Sequence, residues 1–165
     1  MLLDPLHLCI SLGPLAVYLI LIGTLNLSSR PLLTTGARDT AALALAIVGF
    51  AIAGPMELFL PESAAQEYGA VVWLLLLSLY TLGVSIVLMF MRPRIVIYNI
   101  GTEQLRPILA DVVSELDPEA RWAGDSLTLP RLGVQLFIDP FRPLRNTQLV
   151  ASGPRQDYSG WRRLE

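Results

Sequence analysis

The apolar residues of this chain fall in two unlike patterns. Three long apolar runs, Leu6 to Leu27, Ala41 to Leu60 and Gly69 to Met91, fill the first part, and short alternating or helically spaced runs fill the rest. A helix crosses the hydrocarbon core of a bilayer with roughly 20 apolar residues, so the runs predict three transmembrane helices over about 6–27, 41–60 and 69–91. Local signals mark their ends. Asp4 before Pro5 has the order of an N-cap and a first-turn proline, Ser63 and Gln66 have the spacing of a capping box, and Pro93 stops the third run. Pro14 and Pro55 each remove a helical hydrogen bond within a span and bend it.

From Arg92 the period shortens. Arg94 to Asn99 is rich in β-branched and aromatic residues and reads as a buried strand. A helix follows with Thr102 as N-cap, and Leu105, Ile108, Leu109, Val112 and Leu116 recur at threes and fours to make one apolar face. Asp117-Pro118 ends it. Gly124-Asp125 reads as a tight turn between Arg121 to Ala123 and Ser126 to Leu129, while Val134, Leu136 and Ile138 alternate with Gln135, Phe137 and Asp139 and make one face fully apolar. A last short strand fits Gln148 to Ala151.

The expected fold class is therefore membrane α-helical, a bundle over 1–92, followed by a small α+β domain over 93–140 in β-α-β-β order with room for one more strand. One helix covers a largely antiparallel sheet. An irregular arginine-rich tail, 141–165, closes the chain, and only Arg92-Pro93 joins bundle to domain, so the two are expected to move together.

Charge sets an expected orientation. Arg30 and Arg38 lie in the first connection, Glu62 and Glu67 in the second, and Arg92 and Arg94 after the third run. Arginine-bearing loops stay on the cytoplasmic side, which predicts an outside N-terminus and a cytoplasmic C-terminal domain in a multi-pass protein of the bacterial inner (cytoplasmic) membrane. No basic n-region or small-residue cleavage site makes the first run a cleaved signal peptide.

Lipid gives helices no hydrophobic reason to associate, so small side chains mark contacts. Ala42, Ala46, Gly49 and Ala53 share one face of the second span, Ser78, Thr81 and Ser85 one face of the third, and the two faces are expected to meet. Glu57 is the ionisable residue inside a span, and His7 matches it in depth at the outer end of the first helix. Two readings of the pair are open: a proton or cation site at the mouth of the bundle, or an interfacial glutamate reaching headgroup water.

Candidate chemistry is sparse. Cys9 is the single cysteine, so a disulfide within the chain and a multi-thiolate zinc site are both excluded. No glycine-rich phosphate loop, G-x-S-x-G or H-E-x-x-H motif occurs, and carboxylates such as Asp125 and Asp139 are the available acid-base groups. The chain is expected to be no enzyme and to hold no cofactor. Ten arginines against nine acids from residue 92 onward leave too little positive charge for nucleic acid.

Interaction is the remaining class. Tyr98, Trp122 and Phe137 are expected to line an aromatic sheet face that docks a protein partner or a second copy, and Trp161 with Arg162 and Arg163 to rest on the lipid bilayer surface. The reading is a non-catalytic membrane anchor presenting a small cytoplasmic recognition or assembly module. The rival is a subunit of an oligomeric transporter or ion-conducting assembly that uses Glu57.

Overall fold

The structure, a computed structural model, describes residues 5–28, 30–59, 66–141, 145–154 and 156–165, and only the backbone of 6, 7 and 52–59. Asp4, Ser63, Arg142 and Arg155 lie outside the described residues, as do the side chains of His7, Ala53, Pro55 and Glu57. The chain divides into two compact units, one of residues up to 22 with 40–91, the other of 23–39 with 92–165.

The first unit is helical. Its elements are α1 (Pro5–Leu27), α2 (Gly36–Phe59) and α3 (Ala70–Phe90), except that the end of α1 from residue 23 and the start of α2 up to residue 39 belong to the second unit. Leu8–Leu27 and Ala70–Phe90 are long and apolar enough to cross a membrane by length and composition. α2 is as long but opens with Arg38 and Asp39 and carries Glu57. Pro14 sits inside α1, and α3 ends at Met91, whose extended backbone leads into Pro93.

Among the described residues the expected meeting of the small faces of α2 and α3 does not occur. Ala46 and Gly49 are buried, and Gly49 faces the backbone of Ile10 and Ser11 on α1. Ser78, Thr81 and Ser85 are exposed; the Thr81 hydroxyl donates to Leu77 O and Ser78 O at 2.9 Å and that of Ser85 to Thr81 O at 2.7 Å. A hydroxyl that reaches the carbonyl three or four residues back uses its one proton within its own helix and has none to donate to a neighbouring helix. α2 meets α3 elsewhere, where the Tyr80 hydroxyl donates to Ala44 O at 2.5 Å and the Thr40 hydroxyl to Met91 Sδ at 3.4 Å. Ala42 is exposed.

The second unit is a six-stranded antiparallel sheet with two helices. Its strands are β1 (Leu32–Thr35), β2 (Arg94–Tyr98), β3 (Arg121–Ala123), β4 (Ser126–Leu129), β5 (Val134–Phe141) and β6 (Asn146–Ala151), in the order β1-β2-β6-β5-β4-β3. Helix α4 is Thr102–Leu116 and α5 is Tyr158–Leu164. The expected strands from residue 94 onward, the helix and the hairpin are all present. Gly124, with φ 64°, takes the first place of the two-residue turn closed by Ala123 and Ser126, a backbone shape that costs glycine little.

Two elements differ from expectation. The connection between α1 and α2 is not a bare loop: it supplies β1, which pairs antiparallel with β2, Thr34 opposite Val96 and Leu33 opposite Ile97. The tail is not irregular, since it carries β6 at the centre of the sheet and ends in α5. Its polar, glycine- and proline-rich composition belongs to short connections between these elements.

Alternation on the strands builds the core. Ile95 and Ile97, Leu127 and Leu129, Val134, Leu136 and Ile138, and Leu149 and Ala151 point to one face, against Leu105, Leu109 and Val113 of α4. Burying a side chain of this kind contributes roughly 1.5–3 kcal/mol. Thr102 lies inside α4 and Gly101 takes the cap position without a side-chain bond. At the far end Asp117, fully buried, stops the helix: its N–H donates to Val113 O at 2.8 Å, and its carboxylate accepts the N–H of Glu119 at 3.0 Å and of Arg131 at 2.8 Å.

Candidate functional site

Of the three aromatic residues expected on one docking face, Tyr98 and Phe137 lie on the same side of the sheet and Trp122 on the other. Trp122 stands opposite Leu127 and so lies on the helix-covered side, where the Arg106 guanidinium sits 5.6 Å above its ring. Phe137 stands opposite Val150 on the other side and is exposed. Tyr98 is buried at the edge formed by β1, and its hydroxyl donates to Asp39 Oδ1. Register decides this, because neighbours along a strand point to opposite faces and a sequence run alone does not say which pairs across.

Trp161 is likewise not a headgroup anchor. It is 3% exposed within the core cluster, and its indole N–H donates to Gln156 Oε1 at 3.0 Å. Arg162 and Arg163 beside it are exposed. Asp157 caps α5, accepting the Ser159 N–H at 2.8 Å and the Ser159 hydroxyl at 2.9 Å. The Ser159 N–H, then its hydroxyl, hold the Asp157 carboxyl below the usual carboxylate range.

A polar clasp around β1 and β2 was not legible beforehand. Asp39 in the first turn of α2 takes the Tyr98 hydroxyl on one oxygen and stands 3.7 Å from Arg94 Nη2 with the other. A carboxylate in that turn also meets the positive end of the helix dipole. Asn99, at φ 59°, donates its side-chain N–H to Ser28 O and its backbone N–H to Asn146 Oδ1 at 3.2 Å. The local signal was an aspartate at the start of a helix, Asp39, but its partners lie about sixty residues on and no spacing rule joins them.

Acid-base chemistry gains no assembled centre. Asp125 stands 3.6 Å from Arg106, while Asp139 pairs across to Gln148 on the opposite face of the sheet. Among the described residues no group of three His, Cys, Asp or Glu is placed to hold a metal ion. Between α2 and α3 lies an open apolar groove of about 540 Å³, walled by Leu43, Ile47, Val48, Gly83 and Val84. Its hydroxyls, those of Thr40 and Tyr80, already donate to Met91 Sδ and Ala44 O.

One surface stands out. Of the apolar residues expected to form a single face of α4, Leu105 and Leu109 are buried with Val113, whereas Ile108, Val112 and Leu116 are exposed. They follow one another at four-residue spacing, and Asp111 and Glu115, both exposed, are interleaved with them. The apolar arc of α4 is wider than the strip the sheet covers, which is why periodicity alone read all of it as one face.

Comparison with family models, with curated proteins and with solved structures finds no match to this chain.

Proposed function

We propose that the protein is a non-catalytic membrane anchor that presents its sheet domain as a recognition or assembly module, with α1, α2 and α3 all spanning the bilayer. The observation that carries this reading is the union of an apolar helical unit with a sheet that borrows a strand from between two of its helices. Leu19, Ile20, Leu74, Leu75, Leu79 and Leu82 are all more than half exposed, a surface that lipid solvates and water does not.

Orientation follows by the same reasoning. A strand pairs with a strand on its own side of a membrane, so the pairing of β1 with β2 supports a reading in which the first connection and the sheet domain share one side. In this reading Arg30, Arg38, Arg92 and Arg94 share that side, and their charge supports a cytoplasmic domain and an outside N-terminus in the inner membrane. A module of this size, with a closed core and an uncovered apolar helix face, is suited to binding another protein.

The test is made on native membranes. The full chain should resist carbonate extraction, a C-terminal fluorescent-protein fusion should be bright and protected from external protease, and gentle solubilisation should bring down a stoichiometric protein companion. A chain released by carbonate removes the anchor; a chain that purifies without any companion removes the recognition role.

A further inference from the structure

We infer that the outer face of α4 is the docking surface for an amphipathic helix of a partner protein whose apolar stripe is bordered by arginine or lysine. This deepens the recognition reading above and rests on it.

Ile108, Val112 and Leu116 are 54%, 44% and 36% exposed. Leu105, Leu109 and Val113 already make the contact of α4 with the sheet, so the outer three side chains contribute little to the fold. Exposed apolar residues scattered singly need no explanation. These three are contiguous: a rise of ~1.5 Å per residue spreads them over roughly 12 Å of one helix, the length that two turns of a partner helix cover through anchors at i, i+3, i+4 and i+7.

Charge selects the occupant. Asp111 and Glu115 lie at three residues from Ile108 and Val112, inside the same strip of surface. Among the described residues the ion pairs of this unit are Arg94 with Asp39, Arg106 with Asp125 and Arg131 with Glu119, and none of them includes Asp111 or Glu115. Arg106, the cation of α4, is held on the opposite flank by Asp125, Gly124 O and the Trp122 ring.

Two other occupants are disfavoured by the same carboxylates. A second copy docked stripe to stripe brings like charges together, which opposes the association. An anionic leaflet repels them. A helix with a basic border is attracted instead and meets an apolar stripe of matching length.

The full chain in nanodiscs of zwitterionic lipid is titrated against two fluorescent helical peptides with the same leucine stripe, one bordered by arginine and one by glutamate, with empty nanodiscs as the blank. The arginine peptide is expected to bind at least about tenfold more tightly, a difference that shrinks in high salt. Ile108→Ser with Val112→Ser should weaken it by about tenfold or more, and Asp111→Lys with Glu115→Lys should reverse the preference toward the glutamate peptide. These positions are exposed, and an unchanged unfolding midpoint certifies the fold of each variant.

Equal binding of the two peptides, or a preference that survives the charge reversal, overturns the inference. So does a stripe variant that dissolves a dimer of the chain, which assigns the face to a second copy, or adsorption of the domain to anionic vesicles through the stripe. A stoichiometric companion from native membranes that ignores the Ile108→Ser, Val112→Ser variant locates recognition elsewhere: it overturns this inference and leaves the recognition reading standing.

Discussion

Trp161 donates its indole N–H to Gln156 Oε1 at 3.0 Å, and the same Gln156 side chain donates to Gln135 O at 3.0 Å and to Ser152 O at 2.5 Å while accepting the Gln135 N–H at 3.3 Å. One glutamine thus fastens the C-terminal helix to strand β5. Trp161→Ala should destabilise the sheet unit by about 3–5 kcal/mol, and Trp161→Phe, which keeps most of the ring and loses the hydrogen bond, by about 1 kcal/mol. Chemical unfolding followed by far-ultraviolet circular dichroism checks both. Trp161 should also be shielded from brominated lipid, whereas the exposed Trp73 on α3 should be quenched.

Asp117 holds two backbone N–H groups, those of Glu119 and Arg131, with a fully buried carboxylate. Asp117→Ala orphans both and should cost about 3 kcal/mol, while Asp117→Asn retains an acceptor oxygen and should cost less. If the alanine variant unfolds at the wild-type denaturant concentration, the carboxylate is not what closes α4 onto the β4–β5 connection.

A Cβ at Gly49 meets the backbone carbonyls of Ile10 and Ser11, and backbone cannot yield as a flexible side chain can. Gly49→Leu should therefore separate α1 from α2 and lower the melting temperature in detergent, whereas Ser78→Ala, Thr81→Ala and Ser85→Ala should leave it nearly unchanged. Tyr80→Phe removes the bond to Ala44 O and should cost about 0.6 kcal/mol, the mean for interhelical hydrogen bonds in membranes.

Strand β1 offers a covalent check of register. Thr34 and Val96 are directly opposed, and opposed Cα atoms of antiparallel strands are about 4.5–5.5 Å apart, a span that a disulfide fits. In a Cys9→Ser background, Thr34→Cys with Val96→Cys should cross-link under mild oxidant and shift mobility on a non-reducing gel. Thr34→Cys with Ile95→Cys should not, because the two side chains leave opposite faces of the sheet.

Asp157 carries a pH dependence of known sign. Its folded carboxyl lies below the ordinary value of 3.8, so the cap on α5 is fully present above that value and is lost as pH falls through the lower, folded value. The Ser159 amide resonance should move only in that acid range. Asp157→Asn, which keeps an oxygen acceptor and has nothing to titrate, should abolish the movement.

The spacing of apolar residues determined the three long helices, the strand at Arg94, helix α4, the Gly124-Asp125 hairpin and the alternation of β5, because period and turn chemistry are local properties of a chain. Local pattern could not reach contacts between distant segments. It read Leu32–Thr35 as a loop because four residues make a strand only when β2 offers an edge, and it read Trp161 as surface because its neighbours are arginines, although the helix turns the indole inward. It put Ile108 and Val112 on one apolar face with Leu109 because helical spacing gives the width of such a face, not the rotation at which the helix settles on its sheet. That rotation, the strand order and the burial that follows from them are fixed by competition among all the surfaces at once, and only the tertiary structure decided them.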